Sequence, residues 1–186
     1  MDTQALTRLF TEKGAILQGH FYRLSGRHTD WYVQCARLFE DSATAQTVAA
    51  ELAERCRQYD ADVVLAAAIG GVLPGWEVAR ALGLPLFYCE KRDGALILRR
   101  GFEIRAGMRV LIVEDEVSTG QSVREMAEIV RALGGTAVGV GCLVDKSGGK
   151  APLDLPLTAL ITLDAQHYRA EACPMCKQGL PLQNLR

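Results

Sequence analysis

Residues Val110 to Val123 read VLIVEDEVSTGQSV, and the order of residue types in this stretch decides the fold. Four aliphatic residues without a polar interruption make the pattern of a strand buried on both faces, as in a parallel sheet. Two carboxylates, Glu114 and Asp115, end the apolar run. Ser118, Thr119, Gly120, Gln121 and Ser122 then lead into a helix expected from about Ser122 to Leu133, which Gly134 and Gly135 stop. A buried strand that passes through small polar residues into a helix is the first half of a βαβ unit.

The chain on either side repeats the alternation. Val63 to Ile69 (VVLAAAI) reads as a buried strand, and Gly70 and Gly71 turn it. Pro74 falls where the first turn of a helix reaching Leu82 tolerates it. Leu86 to Glu90 and Thr136 to Val144 supply further strands. Before them, Val48, Leu52, Cys56 and Tyr59 recur at helical spacing behind Asp41 and Ser42, and Leu6, Leu9 and Phe10 do so behind Asp2 and Thr3. Between these helices GHFYRLSGRHTDWYVQC, residues 19–35, shows no clear period and reads as an irregular cover with one strand near Tyr32 to Cys35. Residues Lys91 to Gly107 form a charged excursion with a hairpin turn at Asp93-Gly94. The expectation is a single α/β domain over 1–186, a central parallel sheet flanked by helices. Residues 1–40 would form its first helix and cover, 41–165 its core and 166–186 its tail.

Composition narrows the class of function. The 186 residues are 49% apolar and 23% charged, which suits one well-buried core, and the net charge of −1 offers no global field for nucleic acid or an anionic membrane. An anionic ligand must then be held locally. The N-terminus lacks a basic segment followed by an apolar run, so secretion is not expected, and no stretch reaches the roughly 18 apolar residues of a membrane span. The six cysteines are scattered apart from Cys173 and Cys176, and a reducing cytoplasm is the expected setting.

The chemistry is concentrated in the opening stretch. Small residues from Ser118 to Ser122 let backbone N–H groups close around a phosphate, and the helix N-terminus adds positive potential. Glu114 and Asp115 would repel that phosphate at contact distance, so their task lies further along the ligand, accepting hydrogen bonds from sugar hydroxyls. Helix capping alone would also account for Ser118 or Ser122. No Gly-Lys-Ser/Thr follows, so the loop is not a P-loop.

VLIVEDEVSTGQS resembles the phosphoribosyl pyrophosphate signature of type I phosphoribosyltransferases: apolar residues, two acids, two variable positions, then Ser/Thr, Thr, Gly and a small residue. GHFYRLSGRHTDWY is similar to the N-terminal cover of the orotate phosphoribosyltransferase branch, with Gly19, His20, Phe21, Ser25, Gly26, His28 and Tyr32 in place. Arg23-Leu24 stands where that branch has Leu-Ser, and Thr29 replaces Ser. AAAIGGVLPG, residues 66–75, looks like the loop that approaches the pyrophosphate, and LVDKSGG, residues 143–149, resembles the segment that contacts the base. The tail YRAEACPMCKQG is similar to the ending of one subgroup of the branch.

What the resemblance implies is a transferase of the pyrimidine pathway that joins orotate to 5-phosphoribosyl 1-pyrophosphate. Glu114 and Asp115 would hold the ribose, with Lys91 assisting the chemistry. Glu116, Val117, Ser118, Thr119, Gly120, Gln121 and Ser122, with Lys91 and Arg92, would complete the donor site. Ser118 and Lys146 would meet the base. Magnesium would arrive on the donor's pyrophosphate, with no protein cage for it, and the basic loop's reach into a neighbouring site implies a homodimer. The chain departs from the pattern at several points. Lys146 replaces an arginine and loses its two-pronged geometry, Glu116 replaces an apolar residue, Ser118 replaces Thr, and the basic loop is short, ending at Arg99-Arg100-Gly101-Phe102. A phosphoribosyltransferase for a purine or uracil, or a non-catalytic sensor of the same donor, are the alternatives. Cys173-x-x-Cys176, with His167 nearby, supplies only two of the four ligands zinc needs and reads as a thiol pair without metal. His20 and His28 read as packing or hydrogen-bonding residues of the cover.

Overall fold

The computed structural model describes residues 1–23 and 25–184, so Leu24 of the cover lies outside them. Helix α1 spans Thr3–Glu12, and the Asp2 carboxylate caps it by accepting from the Ala5 N–H at 2.7 Å. Strands β1 (Ile16–Tyr22) and β2 (His28–Val33) pair antiparallel. The cover is therefore a hairpin rather than an irregular segment, and its second strand starts earlier than expected, because the chain leaves it at Gln34 for a 3-10 turn over Cys35–Phe39. Asp41 caps α2 (Ser42–Cys56) through the Thr44 N–H at 2.8 Å.

The core then alternates: β3 (Val63–Ala67), α3 (Val72–Leu82), β4 (Leu86–Arg92), β5 (Ala95–Leu98), β6 (Arg109–Val117), α4 (Gln121–Ala132), β7 (Thr136–Asp145) and β8 (Leu157–Thr162). These strands form one sheet in the order β5-β4-β3-β6-β7-β8, parallel except for β5. The Asp93-Gly94 turn returns the chain from β4 to β5 as expected, both residues taking the positive φ that such a turn demands. Strand β9 (His167–Tyr168) extends the hairpin sheet beside β2, and α5 (Pro174–Lys177) closes the tail. No described helix is long and apolar enough to cross a membrane.

Two apolar layers explain the stacking. Alternate residues of the central strands point to opposite faces: Val64, Leu111 and Val113 pack with Leu6, Phe10, Leu52 and Val78 of α1, α2 and α3. Val63, Leu65, Val110 and Ile112 pack on the other face with Val123, Met126 and Val130 of α4. Each large apolar side chain so buried contributes roughly 1.5–3 kcal/mol.

Two differences from expectation bear on the site. Strand β6 does not end at Val113 but continues through the acids to Val117, because β7 keeps pairing with it as far as Val117 opposite Asp145. Strand β8 was not expected, since Pro152 and Pro156 interrupt any period ahead of Leu157. It completes the sheet edge beside β7. Helix α3 leaves β3 on one face and α4 leaves β6 on the other, so the chain splits between these neighbouring strands. A crevice at the C-terminal ends of such a pair is where open α/β sheets bind ligands.

Candidate active site

The crevice between the ends of β3 and β6 opens into a cavity of about 350 Å³. It is lined by Gly70, Lys91, Glu114, Glu116 and residues 117 to 122, among others. Continuation of β6 into the site holds Glu114 against the sheet with only 5% of its surface exposed. Burial pushes its carboxyl up to about 7, opposed by a hydrogen bond from the Ser122 hydroxyl and reinforced by the charges of Asp115 and Glu116. Asp115 is also raised, by burial and then by Glu116, although the Glu116 N–H donates to its Oδ1 at 2.9 Å. Two desolvated carboxyls thus wait beside a pocket for a donor of hydrogen bonds or positive charge.

Across the crevice the backbone comes very close. A Cβ on Gly70 would lie 2.6 Å from Asp115 Oδ2, and one on Gly71 would lie 2.9 Å from Glu114 Oε2. Only glycine lets the turn after β3 lie against the acids. The peptide bond Ala68–Ile69 in this turn is cis.

The loop from Ser118 to Gly120 leads straight into α4. Gly120 takes φ +70°, and no side chain caps the helix, so neither Ser118 nor Ser122 has the capping role that could have explained it. A Cβ on Gly120 would strike Leu153 at 2.6 Å. The Gln121 N–H reaches the Thr119 hydroxyl at 3.4 Å, and the start of α4 behind it has the positive potential that suits an anion.

Lys91, near the end of β4, lines the same cavity. Arg92 does not line it: its guanidinium lies 3.7 Å from Asp93 on the exposed hairpin.

A second cavity of about 300 Å³ adjoins the first through Glu116. Its walls come from the hairpin, with Phe21, Tyr22, Thr29, Trp31 and Tyr32 among them, and its floor from Glu116 and Lys146. Ser118 lines the first cavity and not this one. Lys146 is presented by a turn built on Asp145, whose carboxylate accepts from the Ser147 N–H, the Ser147 hydroxyl and the Gly149 N–H at 2.6–2.8 Å. Sequence reading passed over Asp145, although an Asp followed by Ser-Gly-Gly is the composition of such a turn.

The two departures Glu116 and Lys146 meet each other: Lys146 Nζ donates to both Glu116 oxygens, at 2.9 and 3.0 Å, with Lys146 buried to 7% exposure and Glu116 at 33%. The acid therefore offsets the charge of the one lysine that the second cavity presents.

His167 lies beside Arg23, its Nε2 3.3 Å from the guanidinium, and not with the tail cysteines. The histidines that do meet Cys173 and Cys176 are His20 and His28 of the hairpin. A count of two ligands for that cysteine pair was therefore short by two, because their sequence distance hid the contact.

Comparison with known proteins agrees with this geometry. The family described as the phosphoribosyl transferase domain matches residues 37–171. The orotate phosphoribosyltransferase of Caldanaerobacter subterraneus subsp. tengcongensis is 43% identical over 182 residues, 98% of this chain and 96% of that one. That of Pelotomaculum thermopropionicum is 44% identical over 181 residues, 97% and 95% of the two chains. The crystal structure of orotate phosphoribosyltransferase from Aeropyrum pernix superposes with a TM-score of 0.71 at 28% identity, covering 85% of this chain and 93% of that one.

Proposed function

The chain belongs to the orotate phosphoribosyltransferase family, and on that premise we propose that it transfers the 5-phosphoribosyl group of 5-phosphoribosyl 1-pyrophosphate to orotate. The products are orotidine 5′-monophosphate and pyrophosphate. The observation that carries the reading is Glu114 on β6 facing the start of α4 within one cavity, with Asp115 beside it against Gly70 and a second cavity next to the first.

In this reading Glu114 and Asp115 accept hydrogen bonds from the ribose hydroxyls. Val117, Ser118, Thr119, Gly120, Gln121 and Ser122 wrap the 5′-phosphate with backbone N–H groups and hydroxyls. The turn at Gly70 and Gly71 brings backbone against the departing pyrophosphate, and Lys91 adds a cation there. Arg92 joins only if the exposed hairpin swings inward. Lys146 addresses the base across the second cavity, while Ser118 serves the phosphate. Positive charge grows on the ribose ring as the bond to pyrophosphate breaks, and fixed charges placed in advance lower that barrier. Orotate is already an anion and needs no strong base.

Magnesium belongs to the donor substrate in this account. The carboxylates of Glu114, Glu116 and Glu125 that line the cavity suit a hard cation that keeps most of its waters. When bound it neutralises charge on the leaving pyrophosphate. We further infer one domain over 1–186, a cytoplasmic setting consistent with six free thiols, and a homodimer. Ile69, Leu73 and Trp76, at 89, 54 and 58% exposure around the start of α3, supply an apolar face for a second copy.

One observation favours a second reading. With Glu116 bound to Lys146, the second cavity keeps only the Arg23 guanidinium as a cation not offset by an acid of its lining, which lowers its preference for an anionic base over an uncharged one such as uracil or a purine. Incubating the purified chain with donor, magnesium and orotate decides the first point: orotidine 5′-monophosphate and pyrophosphate should appear in equal amounts, and their absence with retained donor binding would leave a transferase for another base or a donor sensor.

A further inference from the structure

Four metal-ligating side chains converge where the hairpin cover meets the tail: His20 on β1, His28 on β2, Cys173, and Cys176 in α5. Their donor atoms all lie within 4.8 Å of one another. His20 Nε2 is 2.9 Å from His28 Nδ1, 3.5 Å from Cys173 Sγ and 3.7 Å from Cys176 Sγ. Cys176 Sγ is 3.3 Å from His28 Nδ1.

These separations have a specific meaning. Zinc bound at roughly 2.0–2.1 Å by nitrogen and roughly 2.3 Å by sulfur sets tetrahedral edges of roughly 3.3 Å between nitrogens and roughly 3.6 Å between nitrogen and sulfur. The three nitrogen–sulfur separations scatter around the second value, and the nitrogen pair is a little shorter than the first. A single hydrogen bond between the two imidazoles explains only the nitrogen pair. It leaves two soft thiols gathered on the same two ring nitrogens without a strong partner.

The surroundings fit an ion as well. His20 Nδ1 lies 3.0 Å from the Leu180 carbonyl and donates to it, which fixes the tautomer whose Nε2 lone pair points into the cluster. His20, His28 and Cys173 are buried, and only Cys176 reaches the surface. Two thiolates and two neutral imidazoles carry the charge that balances a divalent cation, so the loaded site would be neutral where it is buried. Four protein ligands leave no open position, which marks a structural rather than a catalytic site.

We propose that His20, His28, Cys173 and Cys176 bind one zinc ion that pins the C-terminal tail to the cover. The tail is already laced to β1 there: the Gln183 N–H donates to the His20 carbonyl at 2.8 Å and the Tyr22 N–H to the Gln183 carbonyl at 2.9 Å. His20 and His28 each precede a residue that lines the second cavity, Phe21 and Thr29. Zinc therefore holds the wall of that cavity in place. The assignment of the ion stands apart from the proposed activity, and only its effect on base binding rests on that reading.

Elemental analysis of the full chain, purified from zinc-supplemented cells under reducing conditions, should give one zinc per chain. Exchange with cobalt(II) should produce the visible absorption of a tetrahedral thiolate-bound ion. Cys176→Ser, at the exposed ligand, and His28→Gln should lose both signals while circular dichroism stays native. A wild-type chain that takes up neither zinc nor cobalt, or that shows a Cys173–Cys176 disulfide by intact mass in place of metal, would overturn the site, and this holds even if the variants misfold. Full zinc content in both variants would overturn the ligand set. Stripping zinc should raise KM for the base at least severalfold and leave donor affinity unchanged. An unchanged KM in protein shown to have lost its zinc would overturn the pinning role.

Discussion

Glu114→Gln should make the ligand-free protein more stable at alkaline pH. The carboxyl has an ordinary value of 4.5 and is pushed up to about 7 by burial in the folded chain. Folding therefore favours the protonated acid. Its contribution is fully present below the unfolded value, and it is lost as pH rises through the folded one. At about 1.4 kcal/mol per unit, a shift of this size amounts to about 3 kcal/mol, most of it between pH 5 and 8. Glutamine stays neutral throughout and can still accept from the Ser122 hydroxyl, so the variant escapes that loss. The assay is urea unfolding of both proteins at pH 5 and at pH 8, without donor or magnesium. The wild type should fall relative to the variant by about 2–3 kcal/mol across the interval, on the same linkage. Parallel pH profiles would refute the idea that a strained, desolvated acid waits in the cavity. Losing stability for the sake of a ligand is common at binding sites, and here the ligand's hydroxyls and positive charge would restore it.

Three further substitutions probe the two cavities. Asp115→Asn should weaken donor binding or turnover by at least tenfold, and wild-type kinetics in that variant would remove the ribose role of the acid pair. Gly70→Ala places a Cβ within contact distance of the Asp115 carboxylate, so donor affinity should drop with the fold intact by circular dichroism; unchanged affinity would show that the close approach is dispensable. Glu116→Gln frees the Lys146 charge, and KM for orotate should fall by up to about fivefold, the upper end for a partly exposed ion pair of roughly 1 kcal/mol. A rise in KM would mean that Glu116 orients the lysine rather than offsetting it.

How legible the molecule is from its sequence depends on whether the determining contacts are local. The β3 and β6 strands and the helices after them announce themselves by uninterrupted apolar runs followed by small residues, and β7 by its largely apolar run behind the Gly134-Gly135 stop. The Asp93-Gly94 turn needs nothing beyond its own two residues. β8 and β9 do not: Pro152 and Pro156 break the pattern ahead of β8, which its pairing with β7 settles, and β9 exists through pairing with the distant β2. The same holds for the site. The acid pair and the phosphate loop are contiguous and can be read directly, whereas the extension of β6 through the acids is set by its partner β7. The Glu116–Lys146 pair spans 30 residues, and His20 stands 153 residues from Cys173. Each partner is visible alone as an oddity, a third acid, a lysine for an arginine, a cysteine pair with too few ligands. Only the fold shows that the oddities answer one another.

The central claim is most directly tested by the specificity of the base. The purified chain, given 5-phosphoribosyl 1-pyrophosphate and magnesium, should be offered orotate, uracil, adenine, hypoxanthine and xanthine in parallel, with pyrophosphate release recorded for each. The account predicts release with orotate at a kcat/KM at least a hundredfold above any other base. Turnover of uracil or a purine without orotate would contradict it and would identify the Glu116–Lys146 pair as the mark of a different substrate.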